Sequence, residues 1–389
     1  MAYNPNILRE ALQARSLTPA QLSKRLEIPV GRLLKEMGSA DPSQRFINLV
    51  AKELGLPSFA FYMSKLPPTR EAIPDFREEN PTPEAKDRAT IEAIKLAEGI
   101  QKTLVNLGAP GTPKLPRFEA TADDDIDDFA NQMRNEFDLS FADQRDANDS
   151  RAFYVTVRKK VEDRGVVVLQ DSFPREDGSG FCLAHTRHPV VVINSNRQTR
   201  ARRNFTLAHE LAHVLMGHTG TGISDPFVRK NAIERRCSRF AGSFLVPGDW
   251  VHALMQTNHI ASDPDTDDVR AAAKKLKISQ ETTVLRLEQL GIYQRGSHVK
   301  WRDLVRGNNP DFSEKGGGGK KPPEQAKVKL AKYGFQFAKA FKRLKEQGLI
   351  DEINLYRASG LKPKYQDDYF DYVSSLSSNE LHGLELDDD

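Results

Sequence analysis

The sequence predicts an α+β protein, a mixed core flanked by all-α segments on both sides. Three apolar runs of strand length lie close together: residues 165–170 (GVVVLQ), 180–185 (GFCLAH) and 189–195 (PVVVINS). Segments of helical period surround them on both sides. A length of 389 residues, at about 150 per domain, adds room for two or three domains.

The elements follow in order. Residues 4–63 read as short helices, with Ile7, Leu8, Ala11 and Leu12 on one face, then Leu22, Leu26 and Ile28, Leu33 and Leu34, and Phe46, Leu49, Val50 and Leu54. Thr18-Pro19 supplies a cap residue and a proline at the first helical position. Five prolines between 67 and 83 mark a linker, and residues 84–107 read as one amphipathic helix through Ile91, Ile94, Ala97, Ile100 and Leu104. The mixed core then starts near residue 119. The strands are followed by helices at 199–217 and 227–245 and by a pair of short helices at 268–291. Gly316–Gly319 with Lys320 and Lys321 reads as a tether to a last helical module. The expected division is 1–66, 67–118, 119–296 and 297–389.

Composition excludes several classes. No run of 18 apolar residues exists, so no membrane partner is expected, and the polar N-terminus lacks the apolar region of a secretory signal. Cys182 and Cys237 make neither a disulfide framework nor a cysteine-based zinc cluster. A cytoplasmic location is the expectation. A net charge of +3 is too small for a protein that coats nucleic acid.

The chemistry sits in His209-Glu210-Leu211-Ala212-His213, the pattern HExxH. Residues four apart on a helix are separated by about 6 Å along the axis and roughly 40° around it, so both imidazoles project to one side. That suits two nitrogens on one zinc ion, with Glu210 beside them as general base. Phe205, Leu211, Val214, Leu215 and Met216 make the helix apolar, and burying His, Glu and His in it demands a reason. The competing reading is a pair of core histidines satisfied by each other or by backbone.

A catalytic zinc site takes three protein ligands. The extended pattern HExxHxxGxxH is excluded, because Met216 and Thr219 stand where it needs glycine and histidine. Downstream acids are Asp225, Glu234 and Asp249. Glu234 stands out because Cys237, Phe240 and Ala241 share its helix face, a costly place for an unpaired carboxylate. Its competing partners are Arg235, Arg236 and Arg239. Cys237 is a possible soft ligand, but a buried thiol is the commoner role.

FTLAHELAHVLMGH at 205–218 and ERRCSRFAGSFLVP at 234–247, with IPDFR at 73–77 and VVVINS at 190–195, resemble the ImmA/IrrE family of zinc metallopeptidases. The resemblance implies a zincin-like, gluzincin-type peptidase core. It also implies one zinc ion, with manganese as the alternative, held by His209, His213 and Glu234, and Glu210 as general base. Cys237-Ser238 stands where the family usually has Ala-Asn, which changes the neighbours of the ligand but not the ligand. Proteases of the family cut helix-turn-helix repressors in stress or mobile-element control, so such a repressor is the expected protein substrate. Tyr154, His185, His188 and His218 are the candidates for an oxyanion donor. A substrate strand could add to a sheet edge.

The flanking modules are less specific. LTPAQLS at 17–23 and IPV at 28–30 have helix-turn-helix spacing, with Arg32 and Lys35 on the second helix. Residues 1–65 carry nine basic and five acidic side chains. DNA contact and protein contact are therefore both open for residues 1–66. The unit at 268–291 has a similar pattern, and Phe335, Phe337, Phe341 and Leu344 read as one face of an amphipathic helix. The expected function is a zinc endopeptidase acting on a regulatory protein. The alternatives are a zinc-binding DNA-binding regulator without proteolysis and a toxin-like partner of a two-gene pair.

Overall fold

The computed structural model describes residues 3–13, 17–54, 56, 58–63, 87–110, 115–117, 125–174, 177–196, 198–218, 220–221, 232–251, 265–308 and 324–376. The N-terminal helices are α1 (Pro5–Gln13), α2 (Pro19–Leu26), α3 (Val30–Met37) and α4 (Gln44–Glu53). Thr18 caps α2 in a reciprocal box with Gln21, and Glu27 ends it in the left-handed conformation, φ 54°. Ile7, Leu8, Leu22, Leu33, Phe46, Ile47 and Val50 meet in a core of their own. Helix α5 (Arg88–Asn106) begins at the Asp87 cap. It is followed by α6 (Asp125–Glu136), α7 (Phe141–Arg145) and α8 (Ser150–Asp163).

The sheet has β1 (Val167–Asp171), β2 (Gly180–Leu183), β3 (Val190–Asn194) and β4 (Gly220–Thr221) in the order β1-β3-β2-β4. Strands β1 and β3 are parallel, with Val167 opposite Val190, while β2 runs antiparallel to β3 with Phe181 opposite Val192. Because side chains alternate between faces, Val168, Cys182, Val191 and Ile193 join one core. Leu169, Phe181, Leu183 and Val192 join another. Both faces are covered, which explains why the strands are continuously apolar in sequence.

The first face carries α9 (Arg200–Met216) and α10 (Ala232–Leu245) together with α8. Thr199 caps α9, and Gly217 ends it at φ 74°. Beyond α10 come α11 (Thr266–Leu276), α12 (Gln280–Gln289) and α13 (Ser297–Asn308).

The second face is covered by α5 and by α14 (Gln325–Glu346), α15 (Glu352–Ser359) and α16 (Gln366–Ser375). Here the structure differs from a module held only by a tether. The aromatic stripe of α14, Phe335, Phe337 and Phe341, shares a core with Leu169, Phe181 and Val192 of the sheet. Helix α14 breaks at Gly334, φ 80° and ψ −171°. There the buried Glu162 of α8 accepts the backbone N–H groups of Phe335 (3.0 Å) and Gln336 (3.3 Å). Arg158, 3.3 Å from Glu162, donates to the carbonyl of Ala331 at 2.7 Å. A stripe whose partner lies more than a hundred residues away names no partner in sequence.

Candidate metal centre

Helix α9 lies directly against β2. A Cβ on Gly180 would stand 2.9 Å from Cγ2 of Thr206 and 3.3 Å from Cγ of Glu210, so glycine lets the helix approach the sheet. Four buried side chains meet in the space between α9 and α10. Glu210 and Glu234 are fully enclosed, and His209 and His213 nearly so.

His209 and His213 project from one side of α9, with ring centroids 5.1 Å apart. Glu234, from α10, places Oε2 at 3.0 Å from Nε2 of His209 and Oε1 at 3.2 Å from Nε2 of His213. One ligand atom from each of the three falls within 4.8 Å of the others. In a tetrahedral site with bonds of about 2.0–2.1 Å, ligand atoms stand roughly 3.4 Å apart, so this cluster has the right size.

The electrostatics agree with a cation site. Burial works to raise the Glu234 pKa, but the two imidazoles outweigh it and pull it down to about 2. Burial lowers the pKa of His213, and the Glu234 carboxylate compensates only in part. An ionised carboxylate and a neutral imidazole are the states in which these groups bind metal.

Glu210 is the exception in the cluster. Burial, and then the charge of Glu234, raise its pKa well above the carboxylate range. Neither of its buried carboxyl oxygens has a hydrogen-bond partner among the described residues. Such a group is costly in a structural core and characteristic of a site that handles a proton.

The remaining site candidates separate. Asp225 lies outside the described residues, and Asp249 is exposed. Arg239, a competing partner for Glu234, pairs with Asp127 instead, at 3.3 Å. Cys237 is buried with its sulfur 3.9 Å from that of Met216. His218 follows α9 and is close enough to His213 to lower its pKa. His185 and His188 stack on each other at the β2–β3 turn, 6.0 Å between ring centroids. Nδ1 of His185 accepts the backbone N–H groups of Arg187 and His188 there. Tyr154 is fully buried in α8. Arg32 and Lys35 are exposed on α3.

One contact has no counterpart in the sequence reading. The Ser238 hydroxyl lies 3.4 Å from Nδ1 of His209, on the ring nitrogen opposite the one that faces Glu234. Its only sequence signal is the departure Cys237-Ser238 beside the ligand helix face.

Residues 161–288, which include the whole cluster, match the family model Peptidase_M78, the IrrE N-terminal-like domain. This domain belongs to the ImmA/IrrE family. No curated protein matches the chain. Among solved structures, a Mycobacterium tuberculosis transcriptional regulator is similar at 16% identity, over 50% of this chain and 51% of its own, with a TM-score of 0.30. The chain thus spans about half of that structure, and a likeness at this score carries no argument. The IrrE-like domain begins inside α8 and ends inside α12, so α14–α16, which cover the second face of its sheet, lie outside the match. No helix among the described residues is long and apolar enough to cross a membrane.

Proposed function

We propose that the chain is a zinc-dependent endopeptidase that cuts a regulatory protein, with a helix-turn-helix repressor as its substrate. The observation that carries this reading is the fully buried Glu210 carboxyl, without a hydrogen-bond partner, beside a His209–His213–Glu234 ligand set. A purely structural metal site would have no use for it.

His209, His213 and Glu234 would hold the ion, and manganese fits the same donors. A divalent cation supplies Lewis acidity at the scissile carbonyl when bound. Glu210 accepts the proton of the attacking water and returns it to the leaving amine. His218, whose backbone N–H donates to the carbonyl of His213 at 2.8 Å, is the candidate oxyanion donor nearest the ligands in the chain. Residues 1–66 would then bring the enzyme to its substrate, by DNA contact through Arg32 and Lys35 or by contact with the protein.

The test is to mix the purified chain with a candidate helix-turn-helix repressor and follow cleavage by mass spectrometry. Cleavage that stops with a chelator and returns with added zinc supports the reading. A fully metal-loaded chain that binds DNA and leaves the repressor intact would support a non-proteolytic regulator instead.

A further inference from the structure

A groove of about 540 Å³ runs between the end of α8, the second half of α14 and the end of α16. It lies far in sequence from the HExxH helix, and nothing in the proposed peptidase chemistry uses it. Its apolar side is formed by Phe335, Ala338, Val373 and Leu376. Its rim carries four cations, Lys159, Lys339, Lys342 and Arg343, against two acids, Asp163 and Glu346.

The cations are not equivalent. Lys159 is bonded to Asp163, and Lys342 to Asp371 (2.9 Å) and Ser374 (3.1 Å). Lys339 and Arg343 form no ion pair with any described residue, although they stand one turn apart on the exposed side of α14. Residues at this spacing are neighbours on a helix surface, so two like charges repel unless an anion lies between them. The volume is that of a small-molecule site.

We propose that this groove binds a small phosphate monoester carrying an apolar body. A monoester bears close to two negative charges at neutral pH, which matches the two lining cations that form no ion pair with a described residue, Lys339 and Arg343. The phosphate sits between Lys339 and Arg343, whose planar fork suits paired oxygens. The body lies against Val373 and Leu376. The site is independent of the metal centre, so it stands or falls apart from the peptidase reading.

Phenyl phosphate is the probe, titrated calorimetrically into the full chain, with inorganic phosphate as the second ligand. The expected result is one saturable site for phenyl phosphate, with inorganic phosphate bound at least about 10-fold more weakly. The double substitution Lys339→Gln, Arg343→Gln should weaken phenyl phosphate by a further 10-fold or more. Both side chains are exposed, so the fold should tolerate the change. Equal affinity for the two ligands would show an adventitious anion only and overturn the proposal. So would unchanged binding in the double variant. Binding that appears only in a chain cut after Leu376 would give the groove to residues 377–389 and overturn it too.

Discussion

The hydroxyl of Ser238 stands 3.4 Å from Nδ1 of His209, and both side chains are enclosed. A hydroxyl that accepts the Nδ1 proton leaves the Nε2 lone pair directed toward Glu234 and the space for the ion. Groups in this position typically carry about 10–100-fold in metal affinity. Ser238→Ala should therefore lower zinc affinity by roughly that factor, and Ser238→Asn, which keeps a side-chain acceptor, should recover most of it. Competition with a chromogenic chelator measures both. Equal affinity for wild type and Ser238→Ala would remove Ser238 from the account.

Gly180 sets the approach of α9 to the sheet. A Cβ there would lie 2.7 Å from the carbonyl oxygen of Val192 as well as against Thr206 and Glu210. Gly180→Ala should destabilise by about 1–3 kcal/mol, the usual cost of overpacking, and should disturb Glu210. Denaturant unfolding of the variant beside wild type checks the first expectation. An unchanged midpoint would mean that the helix and sheet can separate freely.

Gly334 has backbone angles that are essentially reserved for glycine, and a side chain there would run into Glu162 and Arg158. The conformation alone costs roughly 1–3 kcal/mol for any residue with a Cβ. Gly334→Ala is expected to loosen α14 from the sheet. Hydrogen exchange should then show faster exchange in β1 and in α14–α16, whereas exchange confined to residues near 334 would contradict a shared core.

Asp127 links α6 to α10 and α12. Burial works to raise its pKa, but the Ser243 hydroxyl and the guanidinium groups of Arg286 and Arg239 outweigh it and hold it below the usual range. A carboxyl depressed in the folded state stabilises above its unfolded pKa of about 3.9, and that contribution is lost as pH falls through the folded value. Asp127→Asn should melt a few degrees below wild type at pH 7, with the gap closing below about pH 4. A gap independent of pH would mean that the charge of Asp127 is irrelevant.

The helical spacing of His209 and His213 and the apolar stripe around Glu234 are enough to name the cluster from the amino-acid sequence. Local periodicity carries that information, because a helix converts spacing directly into direction. The partner of the Phe335–Phe341 stripe is not legible, since an amphipathic face states that it is covered and not by what. Ser238 is not legible as a contact of His209 for a related reason. Its role depends on how α9 and α10 are rotated against each other, and no pattern within either helix encodes that. The kink at Gly334 is likewise hidden, because a lone glycine within a helical pattern is ordinarily tolerated.

The central claim is that Glu210 performs proton transfer beside an ion it does not hold. The most direct measurement pairs metal content with peptide hydrolysis in Glu210→Gln. The account predicts near-stoichiometric zinc, as in wild type, and hydrolysis reduced by about 100-fold or more, the usual scale of general acid–base catalysis. Zinc retained with wild-type turnover, or zinc lost together with turnover, would contradict it.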